Sequence, residues 1–185
     1  MLKLVLAGSA LALTTSLAFA QTPPAPAAGA PAGVTRDSNK FQAARSAKVS
    51  LSQAVEAAEK QGQGRATEAE FEVKDGGGQY EIKVLSNTGD KLTKFKLDAN
   101  SGQVVETENQ PFERYFTRLK PADFQSAKVS LKDAIAAAEQ RVGGKATDAE
   151  VEREGNAVQY EIDVATADKT QEIKVDANGQ VVAKD

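Results

Sequence analysis

The chain of 185 residues contains no cysteine, no histidine and no tryptophan. The first two absences remove most enzyme chemistry. Neither a Ser-His-Asp nor a Cys-His constellation can form, and the H-E-x-x-H zinc motif of metallopeptidases is impossible. No S-x-x-K spacing occurs either, so a serine-lysine dyad lacks its usual pattern. Small domains of oxidising compartments often depend on disulfides; this one must hold together by packing alone. An excess of one charge is missing too, with 23 basic against 26 acidic residues and a net charge of −3. The two signs are interspersed, which excludes the basic face of a nucleic-acid binder and mainly keeps a surface soluble. No enzyme activity and no cofactor are expected.

A long apolar run occurs at the N-terminus. Lys3 precedes the stretch Leu4 to Leu17, and Ala18-Phe19-Ala20 follows as an A-x-A site. This is the pattern of a cleavable export signal, too short to span a bilayer, with the cut expected after Ala20. No cysteine follows it to carry a lipid, so no membrane anchor is expected after cleavage, and the expected location is periplasmic or secreted. The segment 21–40 is rich in Pro, Ala and Gly and poor in large apolar groups, which predicts a disordered tether.

The rest of the chain is written twice. Ser46-Ala-Lys-Val-Ser-Leu51 recurs as Ser126-Ala-Lys-Val-Ser-Leu131, and Gln79-Tyr-Glu-Ile82 as Gln159-Tyr-Glu-Ile162. Leu97-Asp-Ala-Asn-Ser-Gly-Gln-Val-Val105 returns, one serine shorter, as Val175-Asp-Ala-Asn-Gly-Gln-Val-Val182. Such self-similarity marks a duplicated module, with copy 1 over 41–108 and copy 2 over 124–185.

Each copy predicts the same elements. Ser50 and Ser130 suit helix N-caps, with Gln53 and Asp133 placed for a capping box. Leu51, Ala54, Val55 and Ala58 share one helical face, as do Leu131, Ala134, Ile135 and Ala138. Gly62 and Gly143-Gly144 are expected stops. The period then changes to two: Ala69, Phe71 and Val73, then Tyr80, Ile82 and Val84, then Phe95 and Leu97, then Val104-Val105. Copy 2 repeats this with Ala149 and Val151, with Val158, Tyr160, Ile162 and Val164, with Ile173 and Val175, and with Val181-Val182. The expected fold is α+β: two tandem copies of one helix on a three- to four-stranded antiparallel meander, with the charged face left wet.

With the helix start Ser-Leu-x-x-Ala, the strand Tyr-Glu-Ile and the closing turn Asp-Ala-Asn-(Ser)-Gly-Gln-Val-Val in one order twice over, the chain resembles the PepSY domain. That family occurs in propeptides of secreted metallopeptidases and in free-standing exported proteins. The resemblance implies a non-catalytic protein-binding role, restraining an extracytoplasmic peptidase in trans because no peptidase domain is present. The alternative is a general envelope interaction or sensing protein with no role in proteolysis.

Local features invite sharper readings. Glu70 and Glu72, like Glu150 and Glu152, pair carboxylates on outward strand positions, where a solvated face is expected. A single undivided sheet carrying a carboxylate-lined cleft would instead favour turnover, since catalytic carboxylates need a pocket to separate their pKa values. Asp98-x-Asn100-x-Gly102 resembles the start of a calcium loop, but its glycine comes one place early and Asn109 stands where a bidentate glutamate belongs; a turn is expected, and no metal. Gly76-Gly77-Gly78 lacks the spacing of a phosphate cradle and predicts a turn. Tyr80 and Tyr160 are expected in the core with their hydroxyls at its rim. Between the copies, 109–123 is aromatic at helical spacing and predicts a short helix. Phe112, Tyr115 and Phe116, with Phe124 just beyond, are the candidate partner-binding residues, because interfaces favour aromatics. Burial would make them scaffold; exposure would make them a docking patch.

Overall fold

The computed structural model describes residues 32–111, 121–155, 157–167 and 169–182, and for 32–38 the backbone alone. In chain order the elements are α1 (Ala32–Ser46), α2 (Leu51–Gly62), β1 (Gly64–Lys74), β2 (Gly77–Ser86), β3 (Leu92–Asp98) and β4 (Val104–Gln110). Then follow α3 (Pro121–Ser126), α4 (Leu131–Val142), β5 (Lys145–Glu154), β6 (Ala157–Ala165), β7 (Thr170–Asp176) and β8 (Val181–Val182).

Both main helices begin as the sequence dictates. The Ser50 hydroxyl accepts from the Gln53 N–H while the Gln53 side chain accepts from the Ser50 N–H; Ser130 and Asp133 do the same. Each reciprocal box satisfies two of the N–H groups a helix start leaves open. The predicted apolar faces of α2 and α4 are wholly buried. At the C-terminus of α2 the left-handed residue is Gln63, φ 48°, one place after the expected glycine. Gly62 is instead required by closeness, because a Cβ there would lie 2.8 Å from Val84 Cγ1. In α4 the expected Gly143 takes the left-handed cap.

The strands pair as two antiparallel meanders, β1-β2-β3-β4 and β5-β6-β7-β8. The β1–β2 turn is tighter than the glycine run suggests. Asp75 and Gly76, both at positive φ, make the turn, and Gly77 and Gly78 already belong to β2. Two left-handed central residues give the turn that suits strand twist. Gly78 is needed because a Cβ would strike the Phe71 ring at 2.7 Å. Val73, expected inward, is 44% exposed at the end of β1.

The two meanders do not stay apart. β1 pairs antiparallel with β5, giving one eight-stranded sheet in the order β4-β3-β2-β1-β5-β6-β7-β8. At the seam Ala69 lies opposite Ala149, its own counterpart in the other copy. A local two-fold relation between the copies therefore passes through this pair. α2 and α4 pack on each other and on the same face of the sheet, so the core is continuous across both copies.

The lead-in to each copy departs from the expected boundaries. Residues 32–40, expected in the tether, form the first part of α1. The helix is polar and weakly predisposed, and tertiary contact holds it, as for most helices of this length. It touches β1 and β5, with Ala44 buried. Of the 109–123 segment, 109–110 extend β4 and 121–123 begin α3; residues 112–120 lie outside the described residues, as do the expected signal 1–20 and residues 21–31.

Candidate interaction surfaces

The residues that repeat most closely converge on one backbone position. In copy 1 the Tyr80 hydroxyl donates to the Val49 carbonyl at 2.5 Å, and the Val49 N–H donates to Ala99 of the closing turn at 3.0 Å. Strand tyrosine, turn and helix start are thus tied at the residue just before the Ser50 cap. Burial, with the nearby Glu139 charge, pushes the Tyr80 phenol up to about 12. In copy 2 the Tyr160 hydroxyl donates to the Val129 carbonyl. These tyrosines are structural and not open to a ligand.

The closing turns are equally self-contained. The Asp98 carboxylate accepts from the N–H groups of Asn100 and Ser101 and from the Ser101 hydroxyl. Asp176 accepts from Asn178 and Gln180. Gly102 and Gly179 take positive φ. The hydrogen bonds from Ser101 hold the Asp98 carboxyl below its ordinary range, and its Oδ1 is already committed to the turn. Among the described residues, no group of three or more acidic side chains is placed to hold a metal.

Of the candidate partner-binding aromatics, Phe112, Tyr115 and Phe116 lie outside the described residues. Phe124 is not a surface anchor: it is 0% exposed in the core. Arg65 explains why. Its guanidinium lies 5.0 Å over the Phe124 ring and donates to the carbonyls of Phe124, Gln125, Ala127 and Val129. A β1 side chain of copy 1 thereby closes the open carbonyls that α3 leaves at the start of copy 2. Lys145, the equivalent residue of β5, donates back to Ala47 after α1. Both basic residues precede a register shift, at Ala66/Glu68 and Ala146/Asp148, which breaks the strand alternation just beyond them. No local sequence signal announced this exchange.

The seam gathers carboxylates. Glu68 faces Glu150 and Glu70 faces Asp148 across the β1–β5 pair, with Glu161 and Asp163 beside them. They line a groove of about 260 Å³. The expectation of separate carboxylate pairs is corrected here, because the undivided sheet brings both copies' acids together. Their repulsion is relieved by lysines: Lys83 holds Glu68 at 2.7 Å, and Lys40 of α1 holds Asp148 at 2.8 Å and Glu70 at 3.3 Å. Lys40 fills an asymmetry between the copies, since Asp163 stands in β6 where Lys83 stands in β2. Burial first, then Asp148 and other acids, push the Asp163 carboxyl up; Glu150 is raised by burial and by Glu68. Glu68, Asp148 and Glu70 nevertheless keep side-chain exposures of 26%, 32% and 41%. That is a water-facing, lysine-strapped surface and not the dry pocket that acid catalysis requires.

The sheet ends differ. Among the described residues β8 is two residues long, whereas β4 is seven, paired in step with β3 from Leu92↔Gln110 to Lys96↔Glu106 and then shifted by a bulge so that Leu97 pairs with Val104. No described strand pairs with its other edge, and the five residues Val105 to Asn109 are exposed. Glu106 and Glu108 point outward onto Lys96 and Lys94 at 2.8 and 3.3 Å. The hydrogen bond from Lys96 holds the Glu106 carboxyl below its ordinary range, so it stays ionised.

These features define a duplicated α+β module whose described surfaces are exposed strand and charge. The chain belongs to the PepSY family, described as "Peptidase propeptide and YPEB domain", whose pattern matches residues 48–108 and 128–184. Members of this family are propeptide-like and generally non-catalytic. Comparison with curated proteins gives no match. Among solved structures, the chain is similar to the crystal structure of a candidate lipoprotein from Clostridium difficile, at 20% identity and a TM-score of 0.43, over 74% of this chain and 92% of that one. No described helix is long and apolar enough to cross a membrane.

Proposed function

We propose that this chain is an exported, non-catalytic protein-binding module that restrains an extracytoplasmic peptidase in trans, working in the periplasm or outside the cell after removal of residues 1–20. The observation that carries the reading is the exposed edge of β4, with which no described strand pairs, since an exposed edge strand accepts an extended segment by main-chain hydrogen bonding. A peptidase is apt as partner because its substrates are bound extended and because the family takes its description from peptidase propeptides. The absence of histidine and cysteine from the sequence supports contact over turnover.

The test is direct. Chain starting at Gln21 is added to a metallopeptidase exported by the same cell, and cleavage of a peptide substrate is followed. Slowed cleavage that saturates with added chain is expected. A chain that binds the peptidase without slowing it would support the envelope-interaction alternative, and one that does neither ends the peptidase reading.

A further inference from the structure

The outer face of copy 1 is a ladder of charge that stops one rung short. In one row the signs alternate across β2, β3 and β4, Glu81 opposite Lys96 and Lys96 opposite Glu106; in the next, Lys83 lies opposite Lys94, which faces Glu108. Glu81 on β2 meets both Lys94 and Lys96 on β3, each at 3.5 Å, and those lysines meet Glu108 and Glu106 on β4. The lysines are largely covered, at 18% and 13% exposure, while both glutamates remain 52% exposed at the sheet's end. Each carboxylate has acceptor sites beyond the one its lysine uses. The next row of this pattern is basic.

The same edge rejects a second copy of the chain. Pairing β4 with another β4, antiparallel about Thr107, would set Glu106 against Glu108, and a parallel pairing would set like against like. Like charges directly opposite are destabilising in a sheet, and such edges guard against self-assembly. Among the described residues copy 2 has no equivalent site. Its β8 is two residues long, and Glu172 replaces Lys94 in the corresponding row of β7.

We infer that β4 is the docking edge for an extended polypeptide segment carrying lysine or arginine at two alternate positions, which pair with Glu106 and Glu108 while its backbone adds a ninth strand. Val105, 60% exposed, is the extra residue of the bulge between Val104 and Glu106 and sets an apolar group beside the incoming strand. This inference rests on the protein-binding reading and specifies the chemistry of the segment bound. One segment binds per chain, and binding weakens with salt because the pairs are near the surface.

The experiment titrates isotopically labelled chain from Gln21 onward with a short peptide alternating lysine with threonine and valine. Controls are the same peptide with glutamate for lysine and one with a central proline. Amide shifts and slowed exchange confined to 104–110 are expected, with binding at least about tenfold weaker for the glutamate peptide and lost for the proline peptide. The double variant Glu106→Lys/Glu108→Lys, its fold checked by the same spectra, is expected to reverse the preference. Shifts mapping elsewhere, no binding, or a preference unchanged in the variant would overturn the inference. The peptidase assay separates the two ideas. Inhibition undiminished by the double variant leaves the peptidase reading standing without this edge. A chain that binds the lysine peptide at β4 but slows no peptidase keeps the edge and loses that reading.

Discussion

Val49 and Val129 occupy equivalent positions, yet their carbonyls are not equally served. Val49 accepts from the Tyr80 hydroxyl, whereas Val129 accepts from Tyr160 and also from Arg65 at 2.7 Å. Removing a hydroxyl that is the partner of a buried carbonyl leaves it unsatisfied, at about 1–3 kcal/mol; losing one of two donors costs less. Tyr80→Phe is therefore expected to destabilise the chain by roughly 1–2 kcal/mol, and Tyr160→Phe by about half as much. Urea unfolding of the two variants measures the difference directly. Equal losses would mean that Arg65 adds nothing at Val129.

At the level of elements, helices and strands were legible because their signals are local. The faces Leu51-Ala54-Val55-Ala58 and Tyr80-Ile82-Val84 announce their periods, and the serine caps announce the starts. α1 was not legible, because its polar sequence becomes helical through contact with the sheet and not through propensity. The seam was not legible either: nothing near Ala69 specifies Ala149 as its neighbour. Phe124 looked like an anchor because an aromatic after a linker has no visible partner in sequence, and its partner, Arg65, sits in the other copy. That exchange makes a prediction. Arg65→Ala removes four hydrogen bonds to carbonyls around α3 and uncovers the Phe124 ring. A loss of about 2–4 kcal/mol is expected, since hydrogen bonds from a charged group exceed neutral ones. Because Arg65 belongs to copy 1 and holds the entry to copy 2, the whole melting transition should shift as one. Calorimetry that instead resolved an early melting of copy 2 alone would show that the sheet does not couple the copies.

The continuous sheet places like charges from both copies side by side, so part of the molecule's response to pH lies at the seam. Asp163 and Glu150 are raised there, chiefly by burial and then by neighbouring acids. A carboxyl whose folded pKa exceeds its unfolded value holds its proton more tightly when folded. Its ionisation therefore opposes folding, fully at pH above the folded pKa and not at all below the unfolded one. Asp163→Asn removes this opposition, and with it a weaker attraction to Lys40 that offsets only part of the gain. The variant is expected to be more stable than the parent at neutral pH by roughly 0.2–1 kcal/mol, the scale of surface charge contacts. The gain should shrink as pH falls and vanish below about 4, where the parent carboxyl is neutral as well. Asp98 and Asp176 run the other way: the hydrogen bonds their carboxylates accept lower both pKa values, so their contribution is present above the ordinary aspartate range and lost as pH falls. Asp98→Asn should thus be destabilising at neutral pH and harmless in acid, the mirror of Asp163→Asn. Unfolding curves across this range test the pair together, and parallel pH profiles for the two variants would refute the assignment of opposite roles to turn and seam.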